Sequence, residues 1–196
     1  MNTIKASRGS SVNQESCTQI QQLRIIEPDD ERHALYLAKM DGIERDILVK
    51  FATRYNEHAY RLLADRDPPL APALYHCIPV VGDLYMVVID YISASSPLPR
   101  FFVPPALPCS VEAQAVDKRL TEALQVTSRK DLVFGDLQVL NMLYSHEGDR
   151  IFLVDFDWVG KHGEDRCSTC LNPQVNPRVV RCGVMKKSDD VESWIK

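Results

Sequence analysis

The chain has 196 residues, 45% of them hydrophobic, which is enough for one sizeable core or for two small lobes that share a cleft. Its 23 lysines and arginines are outnumbered by 27 aspartates and glutamates, which argues against nucleic acid or an anionic membrane as the main partner. The sequence contains neither an apolar window of membrane-spanning length nor the apolar core of a signal peptide. We therefore expect a cytoplasmic or nuclear protein whose six cysteines are free thiols.

The first half of the chain predicts an antiparallel sheet interrupted by one helix. Residues 1–19 are polar and predict a disordered segment. Short β-rich runs separated by turn residues then predict five strands, at residues 20–26, 33–40, 46–52, 73–81 and 84–92. The last two are joined by Gly82-Asp83, a typical hairpin turn. A helix is predicted over residues 56–67, which end at a pair of prolines.

The second half predicts a smaller, mainly helical part. Residues 93–109 contain five prolines, which indicates a connector without regular structure. Ser110 is placed to cap a helix over 111–130. Two short β segments follow, and a last short helix is predicted near residues 188–195.

Three of the polar residues that interrupt the apolar stretches LVFGDLQVLNMLY and IFLVDFDW are candidates for a functional site. Asp136, Asn141 and Asp155 fall where strands end or begin, so their side chains can converge on a cleft. Carboxylate and amide oxygens are the hard ligands that Mg²⁺ prefers. Asn141 and Asp155 are therefore the predicted metal ligands, and Asp136 is the group that would orient a hydroxyl and accept its proton.

Lys50 supplies the matching cation. It lies in the apolar strand ILVKF, where a charged side chain is costly unless it is paired. Glu57, in the first turn of the next helix, is a candidate partner. A lysine held in this way can contact the α- and β-phosphates of a nucleotide, so the set of residues is that of phosphoryl transfer.

The order of these parts resembles the protein-kinase-like superfamily. ILVKF corresponds to the strand that carries the family's lysine, and Glu57 corresponds to its helix glutamate. DLQVLN matches the catalytic-loop pattern D-x-x-x-x-N, and Asp155-Phe156-Asp157 matches the metal-binding D-F-G. The GDL form is similar to that of aminoglycoside and choline kinases, while VDFDW, VKF and YNEHAYRLLA together look most like small kinase-like proteins of fungi. The resemblance covers roughly residues 20 to 196.

This resemblance implies an α+β, two-lobed fold that binds ATP and Mg²⁺. A five-stranded antiparallel sheet with one helix (residues 20–92) would form the N-lobe and residues 110–196 a reduced, mainly helical C-lobe, with the nucleotide cleft between them. Lys50 and Asp136 would be catalytic. Lys50, Glu57 and the hinge residues Asp90 and Ile92 would bind the nucleotide. The γ-phosphate would pass to a hydroxyl of an unknown protein or small molecule.

The sequence departs from the family pattern at several positions. Phe134 replaces the catalytic-loop histidine, Gln138 stands where protein kinases carry a lysine, and Asp157 replaces the glycine of D-F-G. No glycine-rich loop precedes Lys50; the first hairpin instead has an acidic tip at residues 29–31, which would repel phosphates. The alternative function is thus a weak or inactive pseudokinase that binds nucleotide or acts as a scaffold.

Simpler interpretations stand beside these assignments. Asp136 and Asn141 are also common turn residues, and a strand lysine such as Lys50 more often lies at a sheet edge. Asp157 is either structural or a ligand of a second metal. A zinc site is a minor hypothesis that would need four ligands, drawn from Cys167, Cys170, Cys182 and His162.

Overall fold

A computed structural model of the protein describes residues 4–6, 18–26, 35–92, 95–97, 111–138, 141–145, 150–168 and 180–194. The chain divides into two compact units. Unit 1 comprises Met1–Arg54 and Ala73–Ser93, and unit 2 comprises Tyr55–Pro72 and Ala94–Lys196. The acidic tip, the Ser110 cap and Cys170 lie outside the described residues.

Unit 1 is built on one antiparallel sheet. Its strands follow the order β1-β2-β3-β4-β6-β5, and every neighbouring pair is antiparallel. The strands are β1 (Ile4–Ala6), β2 (Thr18–Ile25), β3 (Leu35–Met40), β4 (Ile43–Ala52), β5 (Leu74–Val80) and β6 (Leu84–Asp90). Strands β2 to β6 are the five that the sequence predicts.

Alternating side chains of these strands form the core of unit 1. Apolar residues at every second position point to one face of the sheet, where they are shielded from water. The buried cluster consists of Ile20, Ala38, Met40, Ile47, Val49, Met86 and Val88. Two tight turns hold the strands in register, and each contains a glycine in the left-handed region, Gly42 (φ +80°) and Gly82 (φ +81°).

Strand β1 was not predicted. Residues Ile4–Ala6 lie inside the segment expected to be disordered, yet they pair with Thr18–Ile20 of β2 at the edge of the sheet. A three-residue edge strand carries almost no pattern of its own, because its order comes from pairing with a neighbour.

The described residues of unit 2 form three helices and five short strands. The helices are α1 (Glu57–Ala64), α2 (Val111–Ser128) and α3 (Lys187–Trp194). Strand β9 (Met142–Ser145) pairs with β10 (Arg150–Leu153) and with β7 (Ser95–Pro97), while β8 (Leu132–Val133) pairs with β11 (Gly160–Lys161). Strand β7 lies in the proline-rich segment that was expected to lack regular structure. Its pairing with β9 provides the hydrogen bonds that the local sequence does not predict.

Helix α1 groups with unit 2, although the sequence placed it with the sheet of residues 20–92. The reason is its contacts. Asn56 caps the helix by accepting a hydrogen bond from the Ala59 N–H (2.9 Å), and its amide donates to the carbonyl of Val159 (3.2 Å). The ring of Tyr60 packs on Phe156 with centroids 4.6 Å apart. These contacts connect the helix to residues 156–159.

The predicted α+β fold class is confirmed: unit 1 is built on an antiparallel sheet, and unit 2 contains the three described helices. Within the described ranges, no helix is long and apolar enough to cross a membrane.

Candidate active site

The loop between β8 and β9 carries Asp136, and two side-chain amides bind that residue. Asn141 Nδ2 donates to the Asp136 carbonyl oxygen at 2.8 Å and to its Oδ2 at 3.2 Å. Gln138 Nε2 donates to the same Oδ2 at 3.0 Å. Asn141 is buried, whereas Asp136 and Gln138 are half-buried. The loop thus presents a carboxylate whose orientation is fixed by hydrogen bonds.

Asn141 and Asp155 lie at the same end of the β9–β10 hairpin. Met142 pairs with Leu153, so Asn141 and Val154 face each other one step beyond the last pair. The Val154 N–H donates to the Asn141 carbonyl at 2.9 Å, which fixes this end of the hairpin immediately before Asp155. Asp155 has a φ of +65°, in the left-handed region, which aspartate adopts more readily than most residues with a side chain. The structure therefore brings Asp136, Asn141 and the backbone next to Asp155 together.

The amide of Asn141 fits a metal-binding role. Its nitrogen donates to Asp136, so its Oδ1 is the atom that can face a cation. Within the described ranges no group of three or more His, Cys, Asp or Glu forms a metal cluster. A magnesium site needs no such cluster, because Mg²⁺ commonly takes one or two protein ligands and completes its shell with waters and phosphate oxygens. Asn141 and Asp155 suit that chemistry.

An aromatic stack supports the segment behind Asp155. Phe156 is fully buried, and its ring lies 4.6 Å from Tyr60 and 5.1 Å from Phe134, measured between centroids. Phe134, which replaces the histidine of the family pattern, thus acts as a packing residue. Its backbone is organised by a different group.

That group is Asp190, on helix α3. The Asp190 carboxylate accepts hydrogen bonds from the backbone N–H of Phe134 at 2.7 Å and of Gly135 at 3.1 Å. The side chain is almost completely buried, and this burial raises its pKa to about 7, while the two backbone hydrogen bonds act in the opposite direction. Asp190 therefore fixes the two residues that precede Asp136.

Gly135 is required by the same arrangement. Its φ is +79°, and an added Cβ would collide with the Met185 side chain and would lie 2.8 Å from the Trp158 carbonyl oxygen. The glycine of GDL is therefore a packing requirement, because the chain that returns through Trp158 and Met185 fills the space where a side chain would lie.

Lys50 lies in unit 1, in an interior strand. Strand β4 has β3 on one side and β6 on the other, with Lys50 opposite Leu35 and Val87. The interpretation of Lys50 as an edge-strand lysine is therefore wrong. Lys50 is half-buried and lies on the face of the sheet opposite its buried neighbour Val49, and its role in nucleotide binding stays a prediction.

The other predicted nucleotide-binding residues make contacts inside their own units. Glu57 forms an ion pair with Arg61 of the same helix (2.8 Å), so its pairing with Lys50 stays a prediction. The Asp90 N–H donates to the Ala73 carbonyl, and its carboxylate accepts hydrogen bonds from Arg45 (2.9 Å) and Tyr75 (3.2 Å). The roles of Asp90 and Ile92 in nucleotide binding stay predictions.

The zinc hypothesis stays a prediction, because Cys170 lies outside the described residues. Cys167 is buried with Val133 and Met185, and burial raises the pKa of its thiol. His162 accepts a hydrogen bond from the Lys187 N–H at 3.3 Å.

Three residues of this unit were not identified from the sequence. Asn56 is the first residue of one predicted helix, a position where asparagine is a typical cap, and Asp190 lies in the acidic run SDD that begins another. Gln138 was noted only as a departure from the family pattern. Nothing in the sequence indicates that Asp190 binds residues 134 and 135, because they lie more than 50 positions away.

Comparison with known proteins gives structural likeness only. No family model and no curated protein matches the sequence. Among solved structures, the chain is similar to the kinase PK-1 of Cydia pomonella granulovirus, with 16% identity and a TM-score of 0.59 over 87% of this chain and 64% of that one. It is also similar to vaccinia related kinase 3, with 14% identity and a TM-score of 0.67 over 91% of this chain and 63% of that one.

The chain thus spans somewhat less than two thirds of both kinases. Identities this low show the fold and leave activity to experiment. The expected likeness to fungal proteins stays a prediction. The chain has the protein-kinase-like fold.

Proposed function

We propose that the protein is an ATP- and Mg²⁺-dependent phosphotransferase whose reacting residues are Asp136, Asn141 and Asp155. The observation that supports this most strongly is the geometry of unit 2, where Asn141 is bonded both to Asp136 and to the residue next to Asp155. The kinase-like fold of the two structural neighbours agrees with it.

The residues divide the chemistry between them. The acceptor hydroxyl oxygen forms a bond to the γ-phosphorus of ATP, while the bond from that phosphorus to the β–γ bridging oxygen breaks and leaves its electron pair on ADP. Asp136 orients the hydroxyl and takes its proton. Asn141 and Asp155 would hold Mg²⁺, which neutralises charge on the phosphates. Lys50, in unit 1, is proposed as a phosphate ligand.

The experiment that tests this function measures binding and transfer separately. A fluorescent ATP analogue is titrated with and without Mg²⁺, and transfer from radiolabelled ATP is followed against a mixed panel of proteins and small alcohols. We expect Mg²⁺-dependent binding, which Asp155→Ala abolishes, and slow transfer, which Asp136→Ala lowers by about 100-fold or more with little effect on binding.

The outcomes separate the two possible functions. Binding without transfer would identify a nucleotide-binding pseudokinase. The absence of Mg²⁺-dependent binding at millimolar nucleotide would refute both the phosphotransferase and the nucleotide-binding pseudokinase, and would leave the scaffold. Lys130→Ala, at an exposed lysine after α2, serves as the control variant and should change neither measurement.

A further inference from the structure

Gln138 binds the carboxylate that the proposed reaction depends on. Its Nε2 lies 3.0 Å from Asp136 Oδ2, and Asn141 Nδ2 lies 3.2 Å from the same oxygen. Asn141 is itself fixed by its second bond, at 2.8 Å, to the Asp136 carbonyl. Gln138 is therefore the second of two neutral donors that converge on one oxygen.

Two donors on one oxygen restrict how the carboxylate can turn. The last torsion of an aspartate side chain is broad and roughly two-fold, so a single hydrogen bond leaves the group considerable freedom. A second donor, reaching the same oxygen from another point of the loop, restricts that torsion. General-base catalysis depends on such orientation, because the reacting atoms must lie within hydrogen-bonding distance and be aligned.

We infer that Gln138 is a positioning residue, which holds the Asp136 carboxylate in the orientation needed to accept the proton of the acceptor hydroxyl. The inference rests on the proposed function. It differs from the role suggested by a lysine at this position, since a lysine brings a positive charge that suits a phosphate. A glutamine brings no charge, and here its amide is directed at the aspartate.

The test uses two substitutions at Gln138 and one control. Gln138→Leu removes the donor while keeping a similar volume. Gln138→Glu keeps the shape, replaces the donor by an acceptor and adds a negative charge beside Asp136. Gln125→Leu makes the same change at an exposed position of α2 and is the matched control.

Turnover is measured as release of phosphate from MgATP to water, and affinity by equilibrium titration with MgATP. We expect Gln138→Leu to lower kcat by about 10- to 100-fold with the Kd for MgATP changed by less than about twofold. Gln138→Glu should lower kcat further. If Gln138 instead binds the nucleotide, both variants would weaken MgATP binding and leave kcat nearly unchanged, which would overturn the inference. An unchanged kcat together with an unchanged Kd for MgATP in both variants would also overturn it.

Side-chain amide NMR gives a second measurement, which does not require catalysis. In the nucleotide-free protein, Asp136→Ala should shift the amide signals of both Gln138 and Asn141, and Gln138→Leu should shift those of Asn141. If the protein transfers no phosphate, the proposed function fails, and the NMR result still decides whether Gln138 holds Asp136. Amide signals of Gln138 that do not respond to Asp136→Ala would overturn the positioning role.

Discussion

At Asp190, burial and hydrogen bonding act on one carboxyl group in opposite directions. Burial disfavours the charged form and raises the pKa to about 7 from 3.8, and the nearby Asp189 adds to this. The N–H groups of Phe134 and Gly135 favour the charged form, yet burial prevails. Well below pH 3.8 the group is protonated in both the folded and the unfolded chain. Between pH 4 and 7 the unfolded chain is ionised first, so it binds fewer protons and the stability falls as the pH rises.

Replacing this residue should therefore change how stability depends on pH. In the wild-type protein, Asp190 should lower the free energy of unfolding by up to about 1.4 kcal/mol for each pH unit between pH 4 and 7. Asp190→Asn should remove that slope. Urea denaturation of both proteins at several pH values measures it, with Asp83→Asn, at an exposed hairpin turn, as the control. If the free energy of unfolding changes with pH to the same extent in the wild type and in Asp190→Asn, Asp190 does not titrate in this range.

At the scale of elements, Asn56 connects helix α1 to the segment that follows Asp155. Its side chain caps the helix at the Ala59 N–H and donates to the Val159 carbonyl, and its backbone N–H donates to the Phe156 carbonyl at 3.2 Å. Asn56→Ala removes both side-chain bonds and should lower the free energy of unfolding by about 2 kcal/mol.

Asn56→Asp separates the two bonds. Aspartate keeps the capping oxygen and adds a negative charge that suits a helix N-terminus, but it loses the donor to Val159. We expect the free energy of unfolding, measured by urea denaturation at pH 7, to fall by about 1 kcal/mol, which is half the loss expected for the alanine variant. If the aspartate variant is as stable as the wild type, the Val159 bond contributes nothing and α1 is held by its cap and by the packing of Tyr60.

The elements that the sequence predicted well are those with a pattern of their own. Strands β2 to β6 are β-rich runs bounded by turn residues, so they are recognisable from local composition. Helix α2 places Leu120 and Ala123 on its buried face at helical spacing. Strands β1 and β7 are three residues long and are ordered by their partners. The grouping of α1 with unit 2 depends on Phe156, about 100 residues away, and local patterns do not carry such contacts.

The candidate site likewise combines features that the local sequence predicts with contacts to distant residues that it does not predict. Asp136, Asn141 and Asp155 were identified because each interrupts an apolar run. The hydrogen bonds that relate them join Asn141 to Asp136 and to Val154, which lie nearby in the sequence. Asp190 was missed because its partners are the backbone N–H groups of distant residues, which have no sequence signature. Site residues that lie close together in the sequence could therefore be predicted. The hydrogen bonds between Asp190 on helix α3 and the backbone of Phe134 and Gly135 could not.

At the scale of the whole molecule, the proposed function requires both units to act on one nucleotide. Lys50 belongs to unit 1 and Asp155 to unit 2. If Lys50 binds the phosphates of the same ATP whose magnesium Asp155 holds, the two substitutions should not be independent. A double-mutant cycle on ATP binding measures this directly, because residues that share a partner show coupling energies of about 0.5 to 3 kcal/mol.

Lys50→Met alone should weaken ATP binding both with and without Mg²⁺, because it removes a direct phosphate contact. Asp155→Asn alone should weaken binding only when Mg²⁺ is present, because its effect passes through the metal. When MgATP is the ligand, the loss of binding free energy in the double variant should then differ from the sum of the losses in the two single variants by at least about 0.5 kcal/mol. Pairing Asp155→Asn with Lys130→Met gives the control cycle, in which losses should add. Additive losses in the Lys50 cycle as well would mean that the lysine and the aspartate do not act on the same bound nucleotide.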